Sequence, residues 1–320
     1  MDFLKKINAK AKAQNNTGFG TNATNYGGRF INKDGTPNIE KSGIGFFEKI
    51  SWYHLLLDMS NFKFISILFI FFIGINFIFA SIYYCVGIEN LNGISGNTVF
   101  EKLLGTYFFS TQTFTTVGYG HISPKGFLTS AIASFEALIG LLSFALATGL
   151  FYARFSKPKA HLLFSSNALI SPFNNTTALM MRIAPHKNTS FTDAEAKVTL
   201  GLTVNENGQK SNRFFILDLE YAKINSLTLS WTIVHPITEE SPLYGLSKED
   251  FENADGEIII FIKTFDDRYS ATVTARSSYT FKEVVYGAKF LPMYGKDETM
   301  QMTVLSLDKL SKYDILEIKN

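Results

Sequence analysis

The sequence predicts a membrane α-helical module followed by an all-β domain. Three observations carry this. Two long apolar runs, 64–88 and 127–155, are each sufficient to cross a bilayer. From about residue 160 onward the apolar period switches to two. Between the two runs lies Thr116-Val117-Gly118-Tyr119-Gly120, a short string suited to an extended strand rather than a helix.

Composition sets the outer limits. The chain has 320 residues, of which 46% are apolar and 31 are phenylalanine. That length suits two or three domains. A formal net charge of +2 gives no field that would gather nucleic acid. The single cysteine, Cys85, lies inside an apolar run, so no disulfide forms within the chain and the residue reads as packing. The first run begins more than 60 residues in. That is too late for a cleaved signal peptide, so the run is expected to stay in the mature protein.

Residues 1–45 are rich in Asn, Gly, Thr and Lys, show no period, and read as an irregular cytoplasmic tail. The glycosylation-type triplets at 15–17 and 22–24 would meet no such machinery there. Residues 46–156 make up the membrane module. Within 46–57, Phe46, Phe47, Ile50, Tyr53, Leu56 and Leu57 fall at helical spacing, with Glu48, Lys49 and Asp58 elsewhere. This is either a helix lying along the membrane surface or the polar start of the next helix. Residues 64–88 carry no charge and form an outer helix of roughly 37 Å. Tyr83 and Tyr84 suit its outer interface.

After a polar loop over 89–97, Thr98-Val99-Phe100-Glu101 reads as a capping box. It opens a re-entrant helix over 98–114, whose carboxyl end faces the string at 115–120 and favours a cation there. Residues 127–155 form the inner helix, with Glu136 as its only acidic group. Gly140 and Gly149 are either flex points or positions of close packing. Arg154, Lys157 and Lys159 follow the second span, and Lys41, Lys49 and Lys63 precede the first. Lys102 and Lys125, between the spans, are offset by Glu89 and Glu101. This bias places both termini in the cytoplasm of an integral plasma (inner) membrane protein with two spans.

Residues 157–320 read as a cytoplasmic β-sandwich. Leu227, Leu229, Trp231 and Ile233 alternate with polar residues, as do Val198, Leu200, Leu202 and Val204. Residues 257–262 form a buried strand. Turn signals at Asn207-Gly208 and Asp255-Gly256 separate the runs. One short helix is expected at 247–252, with Ser247 as its cap.

The string at 116–120 carries the chemistry. Extended, it offers a column of backbone carbonyls, and the glycines permit angles that aim successive carbonyls one way. Thr116 adds a hydroxyl at the inner end, while Val117 and Tyr119 are expected to pack behind the strand. Four columns around an axis form oxygen rings that replace the water shell of K⁺. The expected ion ligands are the carbonyls of Thr116, Val117, Gly118 and Tyr119, with Gly120 closing the filter. Four columns imply a homotetramer. K⁺ is the permeant ion, and no organic cofactor is called for.

Other classes fit less well. No Gly-x-Gly-x-x-Gly follows a strand, no spans with repeated arginines occur, and the five histidines lack metal-ligand spacing. Lone serines and Asp266-Asp267 suggest exposed strands or turns rather than a nucleophile with its base. A membrane-anchored receptor with the sandwich as its ligand module would leave the filter string and the capped helix without purpose.

Further strings carry a resemblance. Residues 153–159 read Ala-Arg-Phe-Ser-Lys-Pro-Lys, 241–247 read Ser-Pro-Leu-Tyr-Gly-Leu-Ser, and 275–279 read Ala-Arg-Ser-Ser-Tyr. With the filter, the chain from about 46 to 290 resembles an inward-rectifier potassium channel, most of all the bacterial branch. The resemblance implies a two-transmembrane-helix potassium-channel pore module with a re-entrant pore helix, on an immunoglobulin-like cytoplasmic β-sandwich. It implies a gate at Tyr152 and a cytoplasmic constriction loop at Phe265, Arg268, Ser270 and Thr272. Arg154, Lys157 and Lys159 would meet membrane lipid headgroups, anionic ones above all. Phe144 stands where strong rectifiers carry an acidic residue, and Gln112 and Ile122 stand where animal members place an ion pair. Glu136 is expected behind the filter, bonded to the pore helix near residues 111–113 or protonated. The alternative is a charge facing the ion cavity.

Overall fold

A computed structural model describes residues 29–43, 45, 51–187, 189–206, 209–297 and 302–316. The chain forms two compact units, one spanning 42–157, the other built from the segment up to 41 and everything from 158 onward.

In the first unit, Ser51 caps a surface helix at Trp52–Asp58, accepting from the His54 amide. Residues 46–50 of the expected helix lie outside the described residues. Ser60 then caps the outer helix Asn61–Val86. The two serines make two helices of what could have been one. The outer helix begins three residues before the uncharged run because a cap, not hydropathy, sets its start. The pore helix Val99–Phe114 has the expected capping box between Thr98 and Glu101. The inner helix runs Phe127–Phe155. Outer and inner helices are both long and apolar enough to span a membrane. Strands β1 (Leu91–Asn92) and β2 (Ser123–Pro124) pair antiparallel and tie the two loops flanking the pore helix and filter. A small core of Phe79, Tyr83, Leu91, Phe109 and Ala133 joins the helices. Tyr83, expected at the membrane interface, is instead fully buried, its ring 5.0 Å from that of Phe109.

The second unit is a sandwich of two five-stranded sheets. Its strands are β3 (Leu162–Phe164), β4 (Ala168–Phe173), β5 (Thr176–Pro185), β6 (Phe191–Glu206), β7 (Gln209–Leu217), β8 (Lys223–Leu227), β9 (Trp231–Pro236), β10 (Gly256–Asp266), β11 (Ala271–Thr280) and β12 (Val284–Tyr286). One sheet has the order β11-β10-β6-β7 with β8 also on β6, and the other β12-β4-β5-β3 with β9 also on β5. Three small strands β13 (Ala288–Phe290), β14 (Tyr294–Asp297) and β15 (Met302–Leu305), with β16 (Tyr313–Ile315), complete two ribbons. Val198, Leu200 and Leu202 on β6 and Ile258, Ile260 and Ile262 on β10 face Leu179, Met181 and Ile183 of the opposite sheet in one core.

The alternation through 227–233 is not one strand. It breaks at residues 228–230, and β8 and β9 belong to different sheets, so Leu229 is exposed while Leu227 and Trp231 are buried. The turn expected at Asn207-Gly208 lies outside the described residues. The short helix is Lys248–Asn253, with Ser247 and Asp250 forming a capping box.

Part of the expected irregular tail is folded. The amides of Phe30 and Ile31 donate to the buried Glu257 carboxylate at 2.6 and 3.1 Å. Arg29 pairs with Glu283 at 2.5 Å, and the Phe30 ring lies 5.5 Å from Phe214. Gly35 turns this strap at φ +84°, and a Cβ there would meet the Arg276 carbonyl.

Candidate functional site

The filter follows from how the pore helix ends. The Thr116 amide donates to the Thr113 carbonyl at 3.0 Å, and the amides of Val117 and Gly118 donate to the Gln112 carbonyl at 3.0 and 3.2 Å. In a trans peptide the N–H and the preceding C=O point opposite ways. The carbonyls of Thr115, Thr116 and Val117 therefore point away from the last turn of the pore helix. Thr116, Gly118 and Gly120 have φ of +59°, +52° and +78°, while Val117 and Tyr119 are negative. This alternation of sign keeps successive carbonyls on one side, where an ordinary strand would alternate them. Glycine explains two of these positions. Thr116 is the third and was not legible as such, because a β-branched residue at positive φ is uncommon.

Val117 and Tyr119, expected to pack behind the strand, are 52% and 78% exposed in a single chain.

Glu136 is fully buried and so does not face an ion cavity within the chain. Its Oε2 accepts from Tyr83 at 2.6 Å, and its Oε1 lies 2.5 Å from Ser110 Oγ. The pore-helix contact is thus one residue before the expected 111–113. The outer helix supplies the rest, since Ser110 Oγ also lies 3.0 Å from Asn76 Oδ1. Asn76 and Tyr83 stand seven residues apart, two helical turns on one face. That spacing of polar groups in an apolar span was the signal available in the sequence. One turn further on, a Cβ at Gly140 would overlap the Phe114 carbonyl. Gly140 is a position of close packing, whereas nothing lies near Gly149 in the single chain.

Tyr152 and Phe144, both on the inner helix, are 74% and 73% exposed. Arg154 is engaged within its own unit. Nη1 donates to the carbonyls of Leu56 and Leu57 at 2.5 and 3.1 Å, and Nη2 to the Met59 carbonyl and Asn61 Oδ1 at 2.7 and 2.8 Å. Its guanidinium sits 4.5 Å over the Phe64 ring. Arg154 thereby caps the negative end of the surface helix. Lys157 pairs with Asp58 at 2.6 Å. Lys159 is exposed and makes no hydrogen bond or ion pair among the described residues.

In the second unit, Phe265 and Thr272 are opposed across the β10–β11 hairpin, and Arg268 and Ser270 lie in its turn. Asp266 Oδ1 accepts from the Arg268 amide at 2.9 Å, and Ser270 has φ +46°. A bulge in the β10–β6 pairing beside Phe265 bends the hairpin tip. The string at 241–247 is also a structural device. His235 Nδ1 donates to the Asp218 carbonyl at 2.6 Å, which leaves Nε2 to accept from Ser241 at 2.8 Å. Burial holds His235 below the usual histidine range. Ser241 is therefore a buried turn anchor.

The inward rectifier potassium channel C-terminal domain family matches residues 162–317, and an ion channel family matches 67–157. The inward rectifier potassium channel Kirbac3.1 of Paramagnetospirillum magnetotacticum is 34% identical over 271 residues, covering 83% of this chain and 89% of that protein. Inward rectifier potassium channel 4 of Mesocricetus auratus and of Homo sapiens are each 27% identical over 209 residues, 61% of this chain. The match spans 46% of the length of each of these animal relatives.

Proposed function

The chain belongs to the inward-rectifier potassium channel family, and from that premise we propose how its residues divide the work. It is a potassium channel with two spans, in a family of ion channels and not of enzymes, and K⁺ is the ion that permeates. In our assignment K⁺ is held by the carbonyls of Thr116, Val117, Gly118 and Tyr119, and four chains surround one axis. The observation that carries this is the alternation of φ along 116–120, with amides turned back onto the pore helix. Gly118→Ala puts a side chain where φ is +52° and should abolish selective conduction. K⁺ against Na⁺ flux into liposomes reads this out, and unchanged selectivity would remove the assignment.

The chain divides, in this account, into a tail over 1–45, a pore module over 46–156 and a cytoplasmic domain over 157–320, with both termini in the cytoplasm. The folded strap at 29–38 makes the end of the tail a part of the domain. Four copies of Tyr152 ring the axis as an aromatic gate that closes by narrowing and by excluding water. The hairpin residues Phe265, Arg268, Ser270 and Thr272 form the second constriction, in the cytoplasm. Tyr152→Ala should raise open probability in bilayer recordings.

Among the cations, Lys157 and Lys159 are assigned to anionic headgroups. The Lys157–Asp58 pair is well exposed and worth under about 1 kcal/mol, so a lipid phosphate can displace it. Arg154 is the staple that would pass the displacement from the surface helix to the inner helix. Neutralising Lys157 and Lys159 together should flatten the response of K⁺ flux to anionic lipid while selectivity stays the same.

A further inference from the structure

Where the outer, pore and inner helices meet, Asn76, Tyr83, Ser110 and Glu136 are all fully buried. Three short oxygen–oxygen contacts link them. Tyr83 lies 2.6 Å from Glu136 Oε2, Ser110 lies 2.5 Å from Glu136 Oε1, and Ser110 lies 3.0 Å from Asn76 Oδ1. Each contact at these distances needs one hydrogen between the oxygens.

The supply of hydrogens can be counted. The Tyr83 and Ser110 hydroxyls bring one each. The Asn76 amide hydrogens are on Nδ2, which donates to the Phe72 carbonyl at 2.7 Å. Turning that amide over would set Oδ1 against the carbonyl, two acceptors face to face. Two hydroxyl hydrogens therefore serve three contacts, and the carboxyl group is the remaining source.

We propose that Glu136 is a neutral carboxylic acid at neutral pH and the positioning residue that fixes the pore helix between the two spans. Tyr83 donates to Oε2, the Oε1 hydroxyl donates to Ser110, and Ser110 donates to Asn76. An ionised Glu136 would take both hydroxyl hydrogens, leave Ser110 and Asn76 facing each other without one, and place a net charge with no counter-ion among its contacts at membrane depth, which costs several kcal/mol. With the chain complete, every contact is satisfied and no net charge sits behind the filter.

The geometry extends this to the filter. Glu136 meets Ser110, and four residues on in both helices Gly140 meets Phe114. Inner and pore helices are thus locked in register turn by turn. Phe114 is the last residue of the pore helix, and the filter amides hang from its final turn. The depth of the filter follows from the Glu136 chain.

This role rests on the pore assignment above, but the protonation state can be read without any conduction. Infrared spectra of purified channel in bilayers at neutral pH should show a carboxylic-acid C=O stretch that is lost in Glu136→Gln, with the carboxylate bands unchanged. A difference confined to the carboxylate bands would overturn the proposal. Should Glu136→Gln fail to assemble, Tyr83→Phe serves instead. It removes the donor to Oε2, and the same C=O band should move to higher frequency; an unmoved band also overturns the proposal. For the role, Gln supplies one donor and one acceptor as the neutral acid does. Glu136→Gln should keep unitary conductance and K⁺ selectivity, whereas Glu136→Ala should lose selectivity or assembly. A large fall in conductance of an intact Glu136→Gln channel would mean a charge serving the ion path and would refute the positioning role.

Discussion

The two units bury themselves in different ways. The sandwich covers its core with its own sheets, and Leu179, Leu200, Ile258 and Ile260 are fully buried within one chain. The pore unit keeps a small core around Tyr83 and Phe109 and leaves Phe127 91% exposed and Tyr119 78% exposed. Apolar surface on that scale is not left to water by a soluble monomer. The sandwich closes its core within one chain, whereas the pore unit, under the proposed assignment, is covered by lipid on one side and by copies of itself on the other. What it does bury is correspondingly exacting: a glycine against a carbonyl, and a carboxyl group with every contact filled.

This contrast predicts where substitutions matter. Gly140→Ala sets a methyl group into the Phe114 carbonyl and should give the largest effect, loss of assembled and conducting channel. Gly149→Ala, with open space around it in the chain, should assemble, and size-exclusion of the two variants side by side makes the comparison. If Gly140→Ala assembles and conducts like the parent, the close helix contact is not needed.

In the sandwich, Ile260→Ala removes a fully buried side chain and should cost about 2–5 kcal/mol, seen as a lower melting temperature. Selectivity should survive wherever the protein remains folded. A similar scale is expected for Arg154→Ala, on the order of 3 kcal/mol because several hydrogen bonds to one charged group are lost. Its signature should be different. Protease access to the surface helix should rise, and Arg154→Lys should not restore it, since an ammonium group cannot span the carbonyls of Leu56, Leu57 and Met59.

The smallest effect concerns pH. His235 is kept neutral by burial, so its folded value lies below the unfolded one. The unfolded chain then binds more protons in the interval between them. Stability from this site is complete above about pH 6.5 and falls as pH drops below it, by at most about 1.4 kcal/mol per pH unit. A melting series from pH 7.5 to 5 on the full protein (spanning about that 6.5) and on His235→Gln should show a shallower slope for the variant.

Much of the fold was legible because local rules set it. The inner helix has the bounds its apolar run gives, the pore helix starts at its capping box, and the sign of φ alternates along the string at 116–120. What was missed depends on partners distant in sequence. Nothing local shows that Tyr83 turns inward to a carboxyl group 53 positions away. Nor does it show that Arg154 binds carbonyls 95 to 98 positions earlier. The strap at 29–38 looked featureless because its order comes from Glu257 and Ser278, not from its own pattern. The run at 227–233 misled for the opposite reason, since a continuous period of two can pass from one sheet to another through a bend.

Under the proposed assignment the pore unit is completed only by copies of itself. Native mass measurement of the purified channel in detergent tests it most directly. A single dominant species of four chains is expected, and a population containing only monomers or dimers would refute the assembly.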